Sequence, residues 1–276
     1  MKCKKWTDEE VNIIKNMYPE EPRKYILEEL KDRKWESIKT KARKLGIKRK
    51  VAYKMPAETN HYFFDNWSNE MAYILGLICA DGNIKNGHYL KIKLAAKDYG
   101  FLKDIRDIIA PGRRIYDVKC IYEYKGKLVE TYAKSLEIGS QYICKKLRTF
   151  GVVENKTKIL EFPSIPNKYI SHFIRGYFDG DGCINKYLPS DYSGHLHAWS
   201  IIFAGNKKFL TQLNKVISTN VKIDTKTVRK ESNCDLYIIK YFTYDSIKLG
   251  QFIYKDSTIH LDRKYKLFQQ LLDERK

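Results

Sequence analysis

The first fifty residues carry a helical apolar period that is interrupted twice. Thr7-Asp8-Glu9-Glu10 has the pattern of a capping box and predicts a helix running to about Tyr18. Pro22 suits the first turn of a second helix, which ends near Leu30. A third helix spans roughly Trp35 to Leu45 and stops at Gly46. On it Trp35, Ile38, Ala42 and Leu45 make the buried stripe, while Lys39, Thr40, Arg43 and Lys44 face outward. Residues 51–67, with Pro56 and mixed polar side chains, read as a linker.

From Ser68, an N-cap residue, the pattern changes. An apolar helix runs to Asp81-Gly82, and Tyr89-Leu90-Lys91-Ile92-Lys93-Leu94 then alternates as a half-buried strand does. A helix begins around Phe101-Leu102, followed by strands near 113–124 and 129–138 and a closing helix near 140–149. The same order returns after a second apolar helix ending at Asp181-Gly182. A helix begins at Phe209-Leu210, strands lie near 221–230 and 235–243, and a helix near 246–254 closes the half. Eight extra residues in the second half fall near Leu188–Gly194, turn-forming sequence that lengthens a hairpin loop. Each half reads α-β-β-α-β-β-α, over 68–162 and 163–276. The predicted class is α+β: two pseudo-symmetric halves whose four-stranded sheets form one saddle, plus a small all-helical N-terminal domain over residues 1–50.

The two apolar helices echo each other residue by residue. Ile74-Leu75-Gly76-Leu77-Ile78-Cys79-Ala80-Asp81-Gly82 returns one hundred residues later as Ile174-Arg175-Gly176-Tyr177-Phe178-Asp179-Gly180-Asp181-Gly182. Gly76 and Ala80 share one helix face, as do Gly176 and Gly180. Small residues at that spacing let two helix backbones approach closely. If the two faces pack in parallel, Asp81 and Asp181 emerge side by side at one end. Carboxylates so placed repel each other unless a cation sits between them, and the negative ends of both helix dipoles add to that demand. A divalent cation with oxygen ligands fits best.

Composition narrows the partners. Of 276 residues, 52 are basic and 33 acidic, a formal charge of +19 spread along the chain, and 21 are tyrosine. Basic side chains interleaved with tyrosine on strands suit a polyanion track. An apolar content of 43% is enough for a core, without a run long enough to span a membrane. Six cysteines (3, 79, 120, 144, 183 and 234) form no zinc-site spacing and read as free thiols in a reducing compartment. Met1-Lys2-Cys3-Lys4-Lys5-Trp6 has no apolar signal region, so the expectation is an intracellular protein, cytoplasmic or nucleoid-associated, or encoded by an organelle or phage.

The paired motifs resemble those of the LAGLIDADG homing endonucleases, in particular the single-chain, two-motif members. Positions three, seven, eight and nine of that motif are met by Gly76, Ala80, Asp81 and Gly82, and by Gly176, Gly180, Asp181 and Gly182. Cys79 departs from the pattern where Asp179 keeps the acidic residue, which makes the halves unequal. The resemblance covers roughly residues 68–268. It implies a monomeric enzyme that breaks both strands of a long, asymmetric DNA site. It implies Mg²⁺, with Mn²⁺ or Ca²⁺ as alternatives in the same site, held by Asp81, Asp181 and the backbone carbonyls of Ala80 and Gly180. It also implies a lysine near each scissile phosphate, Lys156 in the first half and Lys264 in the second.

The polar water-positioning residue of some relatives is not evident, because Ala96 and Ala204 stand where it is expected. Candidate DNA contacts on the strands are Lys91, Lys93, Lys119, Lys134, Lys226, Arg229 and Lys240. The N-terminal helices resemble Myb-like or helix-turn-helix modules, with Lys39, Arg43 and Lys44 as contacts; a helical cap packed on the main body is the other reading. Two rival functions use the same fold: an RNA-binding intron maturase, and a catalytically silent DNA-binding regulator. No flanking splice-junction chemistry is visible, which argues against an intein-embedded form.

Overall fold

The computed structural model describes residues 5–19, 23–49, 59–124, 126–188, 197–232 and 235–275. Chain contacts divide it into two compact units, Met1–Glu58 and Thr59–Lys276.

The first unit is a three-helix cluster, α1 (Asp8–Met17), α2 (Arg23–Glu29) and α3 (Trp35–Lys44). The capping box at its start is formed: Thr7 N–H donates to Glu10 Oε2 at 2.9 Å and Glu10 N–H to Thr7 Oγ1 at 3.2 Å. Glu10 then receives Arg33 through Nε and Nη2, both at 2.7 Å, and the guanidinium lies 4.2 Å over the Trp6 ring. Ile14, Tyr18, Ile26, Leu30, Ile38 and Ala42 make the core. Trp35 and Leu45 pack on its edge, half-buried rather than central. Gly46 ends α3 at φ +69°, the left-handed conformation that a side chain would resist. Pro22 lies outside the described residues.

The second unit holds the repeat. α4 (Asn69–Asp81) leads into β1 (Gly82–Lys85) and β2 (Tyr89–Ala95), then α5 (Tyr99–Ile109), β3 (Ile115–Tyr124), β4 (Lys127–Gly139) and α6 (Gln141–Thr149). The second half runs α7 (Ile170–Asp181), β5 (Gly182–Tyr187), β6 (Ala198–Gly205), α8 (Lys207–Val221), β7 (Arg229–Lys230), β8 (Tyr237–Phe242) and α9 (Thr243–Tyr254). The strands form two antiparallel sheets of equal order, β1-β2-β4-β3 and β5-β6-β8-β7. Leu90, Ile92, Leu136 and Ile138 of the first sheet, and Ile201, Phe203, Ile239 and Tyr241 of the second, point into one core with α4 and α7. The α+β class with two matching halves is therefore the architecture.

Three details differ from the sequence expectation. Residues 59–67 are part of the body: Phe64 is buried, Phe63 and Trp67 pack on the core, and the Trp67 ring stacks on Tyr169. Only 51–58 of the expected linker lies outside the described residues. Second, the strand expected over 221–230 is reduced to Arg229–Lys230. α8 continues to Val221, and its polar side chains take the backbone that a strand would need. Asn214 bonds both the N–H and the carbonyl of Lys226, and Ser218 Oγ donates to the Ile223 carbonyl. Third, a further helix, α10 (Asp262–Asp273), follows the closing helix of the second half. Of the hairpin insertion, residues 189–194 lie outside the described residues, as do Cys3 and Cys234; Cys79, Cys120, Cys144 and Cys183 are free thiols.

Candidate functional site

α4 and α7 meet backbone to backbone. A methyl group on Gly76 would run into the carbonyl oxygen of Phe173, and one on Gly176 into that of Tyr73. The two contacts are the same contact seen from either half, since 73 and 173, like 76 and 176, are equivalent. One turn on, a methyl on Gly180 would collide with that of Ala80 and sit 3.1 Å from Asp81 Oδ2. The carboxylate of Asp81 thus lies against the last turn of α7. Gly82 and Gly182 close the helices, their N–H groups returning to the Ile78 and Phe178 carbonyls. Their backbone is extended, so glycine serves space here: a Cβ would strike the preceding turn.

This crowding sets the charge state. Burial, then repulsion from Asp181, pushes the Asp81 pKa up to about 6, against the pull of Lys264 and Lys156. Asp181 shifts upward too, through desolvation by the packed helix ends, although its own surface is more open. Both acids stand where a cation would relieve them.

Two buried lysines answer part of that demand. Lys156, in the turn after Asn155, donates to the carbonyls of Gly82 and, at 3.2 Å, Ala80. Lys264, on α10, reaches Phe178 and Gly182 at 2.6 Å, Asp179 at 2.9 Å and Gly180 at 3.4 Å. Burial lowers the pKa of both, that of Lys264 to about 8. An ammonium has three N–H groups: the four carbonyls around Lys264 engage all of them, the two around Lys156 only two. Both ammonium groups lie at the negative ends of the motif helices. Ala80 and Gly180 receive only the longer contacts, so their carbonyl oxygens keep acceptor capacity.

The aspartates and backbone carbonyls at the helix ends offer only oxygen donors, and no cluster of three or more His, Cys, Asp or Glu side chains exists among the described residues. That set fits a hard divalent ion and not a soft one.

Asp179 is not part of the set. Its Oδ2 accepts from Tyr73 O–H at 2.7 Å and Leu261 N–H at 2.9 Å, fully buried. Arg175 donates to Ile253 and Ile259 carbonyls at 2.7 and 2.9 Å. Together they hold the segment that presents Lys264. Cys79 and Leu75 occupy the same positions in the first half, so this polar buttress exists on one side only.

Strand register sorts the candidate contacts. Lys91 and Lys93 oppose Glu137 and Ser135, on the face away from the core, together with Asn83 and Lys85 of β1. A groove lined by Asp81, Asn83, Lys85, Lys91, Lys93 and Lys156 runs from the acid pair along this face. Lys134 opposes Leu94 and therefore belongs to the other face, as does Lys119, farther out where the strands are exposed. Both are tied there, to Asp117 at 2.5 Å and Glu130 at 2.7 Å. Lys119 and Lys134 are thus separated from Lys91 and Lys93, because alternation restarts on each strand and only register aligns them. In the second half Arg229 and Lys240 share the open face, opposite Ile238 and Ile202. Lys226 pairs with Asp245 at 2.7 Å. On α3, Lys39, Arg43 and Lys44 are exposed, with Lys39 bonded to Glu36 at 2.9 Å. Ala96 lies in the turn before α5, and the Ala204 carbonyl accepts from Tyr177 O–H at 2.8 Å.

No protein-family profile matches the chain. The DNA-directed RNA polymerase subunit Rpo1C of Methanocaldococcus jannaschii is 28% identical over 178 residues, 56% of this chain. That alignment spans 21% of the subunit, so the chain covers about a fifth of its relative. Among solved structures, the chain is similar to meganuclease I-SmaMI bound to uncleaveable DNA, at 12% identity over 75% of this chain and 88% of that one, TM-score 0.49. It is also similar to LAGLIDADG homing endonuclease I-GzeII in complex with its DNA target (12%, 75% and 89%, TM-score 0.48). A third is homing endonuclease I-WcaI bound to its DNA recognition sequence (16%, 79% and 95%, TM-score 0.47).

Proposed function

We propose that this chain is a single-chain homing endonuclease of the LAGLIDADG type, which makes a double-strand break at a specific DNA site with divalent metal. The observation that carries the reading is the helix pair: two motif copies, in backbone contact at Gly76 and Gly176, bring two crowded carboxylates to one end. Sheets flank that end on both sides, and the first presents lysines on its open face.

In this reading Asp81 and Asp181, with the Ala80 and Gly180 carbonyls, hold Mg²⁺. Divalent metal supplies an activated water and neutralises charge on the phosphate when bound. The chain's own residues do the rest. Lys85, Lys91 and Lys93 neutralise and align the backbone of one half-site, and Arg229 and Lys240 act on the other. Lys156 and Lys264 keep the helix ends, and so the two carboxylates, in register. One acid per half gives each strand its own centre, and unequal halves suit an asymmetric target. The α3 face of Lys39, Arg43 and Lys44 adds contact through a second module.

The test is whether purified protein with Mg²⁺ linearises a plasmid carrying the DNA that flanks its own gene. Linear product, absent with EDTA, is expected. An RNA-binding maturase or a silent regulator of the same fold leaves the plasmid intact.

A further inference from the structure

The two halves are tied to each other by equivalent residues with unequal charge. Asp98, before α5, and Asn206, before α8, are 108 residues apart, as are Asn155 and Arg263. Asn206 Nδ2 donates across to the carbonyls of Thr157 and Leu160 at 3.1 and 2.9 Å, while its Oδ1 caps α8 through Phe209 N–H at 2.9 Å. That tie is neutral and fully engaged. Asp98 makes no such cap. It receives Arg263 instead, Nε to Oδ1 at 3.0 Å and Nη2 to Oδ2 at 3.2 Å.

The surroundings of this ion pair point outward to a ligand. Its acid is the covered partner, with 8% of its side chain exposed against 45% for the arginine. The contacts to Asp98 use Nε and Nη2, which leaves both protons of Nη1 unassigned. A cavity of about 200 Å³ joins Arg263 and Asp98 to Asp81, Lys93 and Gly180. A guanidinium fixed on one edge and open on the other suits a phosphate oxygen, which lysine would meet only as a point charge. At the equivalent place beside Lys156 stands Asn155, which carries no charge.

We infer that Arg263, oriented by Asp98, binds the scissile phosphate at one of the two strand-cutting centres and has no counterpart at the other. The inference rests on the endonuclease reading above. Arg263 is then a substrate contact and Asp98 a positioning residue.

The experiment uses the full chain and a duplex that the wild type selects from a randomised library, each strand labelled separately. Arg263→Gln slows cutting of one strand, always the same one, by about tenfold or more, and nicked product accumulates. In EDTA, its slope of log affinity against log salt falls by about 0.9, as expected when one phosphate is no longer neutralised. Asp98→Asn keeps the guanidinium, so its salt slope stays that of the wild type, and the same strand is slowed less. Equal slowing of both strands by Arg263→Gln, or an unchanged slope, overturns the inference; so do equal effects of both variants, which would make the pair a clamp. Because the salt slope is read without metal, it judges Arg263 even if the wild type cuts nothing, the outcome that would overturn the endonuclease reading instead.

Discussion

The ammonium of Lys264 lies 2.6 Å from the carbonyl oxygen of Phe178, three residues before the aspartate it helps to hold. The same group bonds Asp179 and Gly182, so one side chain from α10 closes the end of α7. Lys156 does the same for α4 with fewer partners. Replacing Lys264 by Met leaves buried carbonyls unpaired, at about 1–3 kcal/mol for such a group. Thermal melts in EDTA should show Lys264→Met falling further than Lys156→Met. Unchanged melting in both variants would return these lysines to a purely substrate-directed role.

Much of this arrangement is legible in the chain. The motif echo indicates two equivalent helices, their small faces indicate close approach, and the aspartates follow. What escapes has physical causes. The α10 stripe runs Lys264, Phe268, Leu271, and its lysine hides the apolar period because its charge is spent on carbonyls. The Asp98–Arg263 pair joins residues 165 apart, which no local pattern encodes. The separation of Lys119 and Lys134 from Lys91 and Lys93 depends on register across β2-β4-β3, invisible to alternation within one strand.

The helix contact makes a steric prediction. Gly76→Ala and Gly176→Ala each force a methyl into a backbone carbonyl of the opposite helix, which cannot rotate away. Overpacking typically costs about 1–3 kcal/mol, and a rigid neighbour puts these variants at the upper end or beyond. Valine at either position should be worse than alanine. Calorimetric melting temperatures equal to the wild type would mean that the helices do not meet at these glycines.

His172 supplies a pH dependence. Burial, with the nearby Arg175 charge, lowers its pKa to about 4 from the ordinary 6.5. The unfolded chain therefore takes up a proton that the folded ring refuses. Stability associated with this group is complete above about pH 6.5 and drains away as pH falls towards 4. Urea unfolding of His172→Gln should lack that component of the slope between pH 6.5 and 4. A slope identical to the wild type would contradict the assignment.

The α3 face is tested by salt. Replacing Lys39, Arg43 and Lys44 together by Ala should lower the salt slope of DNA binding by about 0.9 for each phosphate that these side chains neutralise. The acid pair is untouched, so strand cutting at saturating protein should persist. If the slope does not move, the three-helix unit is a cap rather than a DNA-binding module.

Asp81 and Asp181 each serve one of the two strand-cutting centres, so a double-strand break requires both. Plasmid cleavage with Mg²⁺ by the wild type, Asp81→Asn and Asp181→Asn on the same target, with DNA affinity measured alongside, tests that requirement. Linear product is expected from the wild type alone, while both variants bind DNA at least as tightly, having shed a charge that opposes phosphate. Linear product at the wild-type rate from either variant would contradict it.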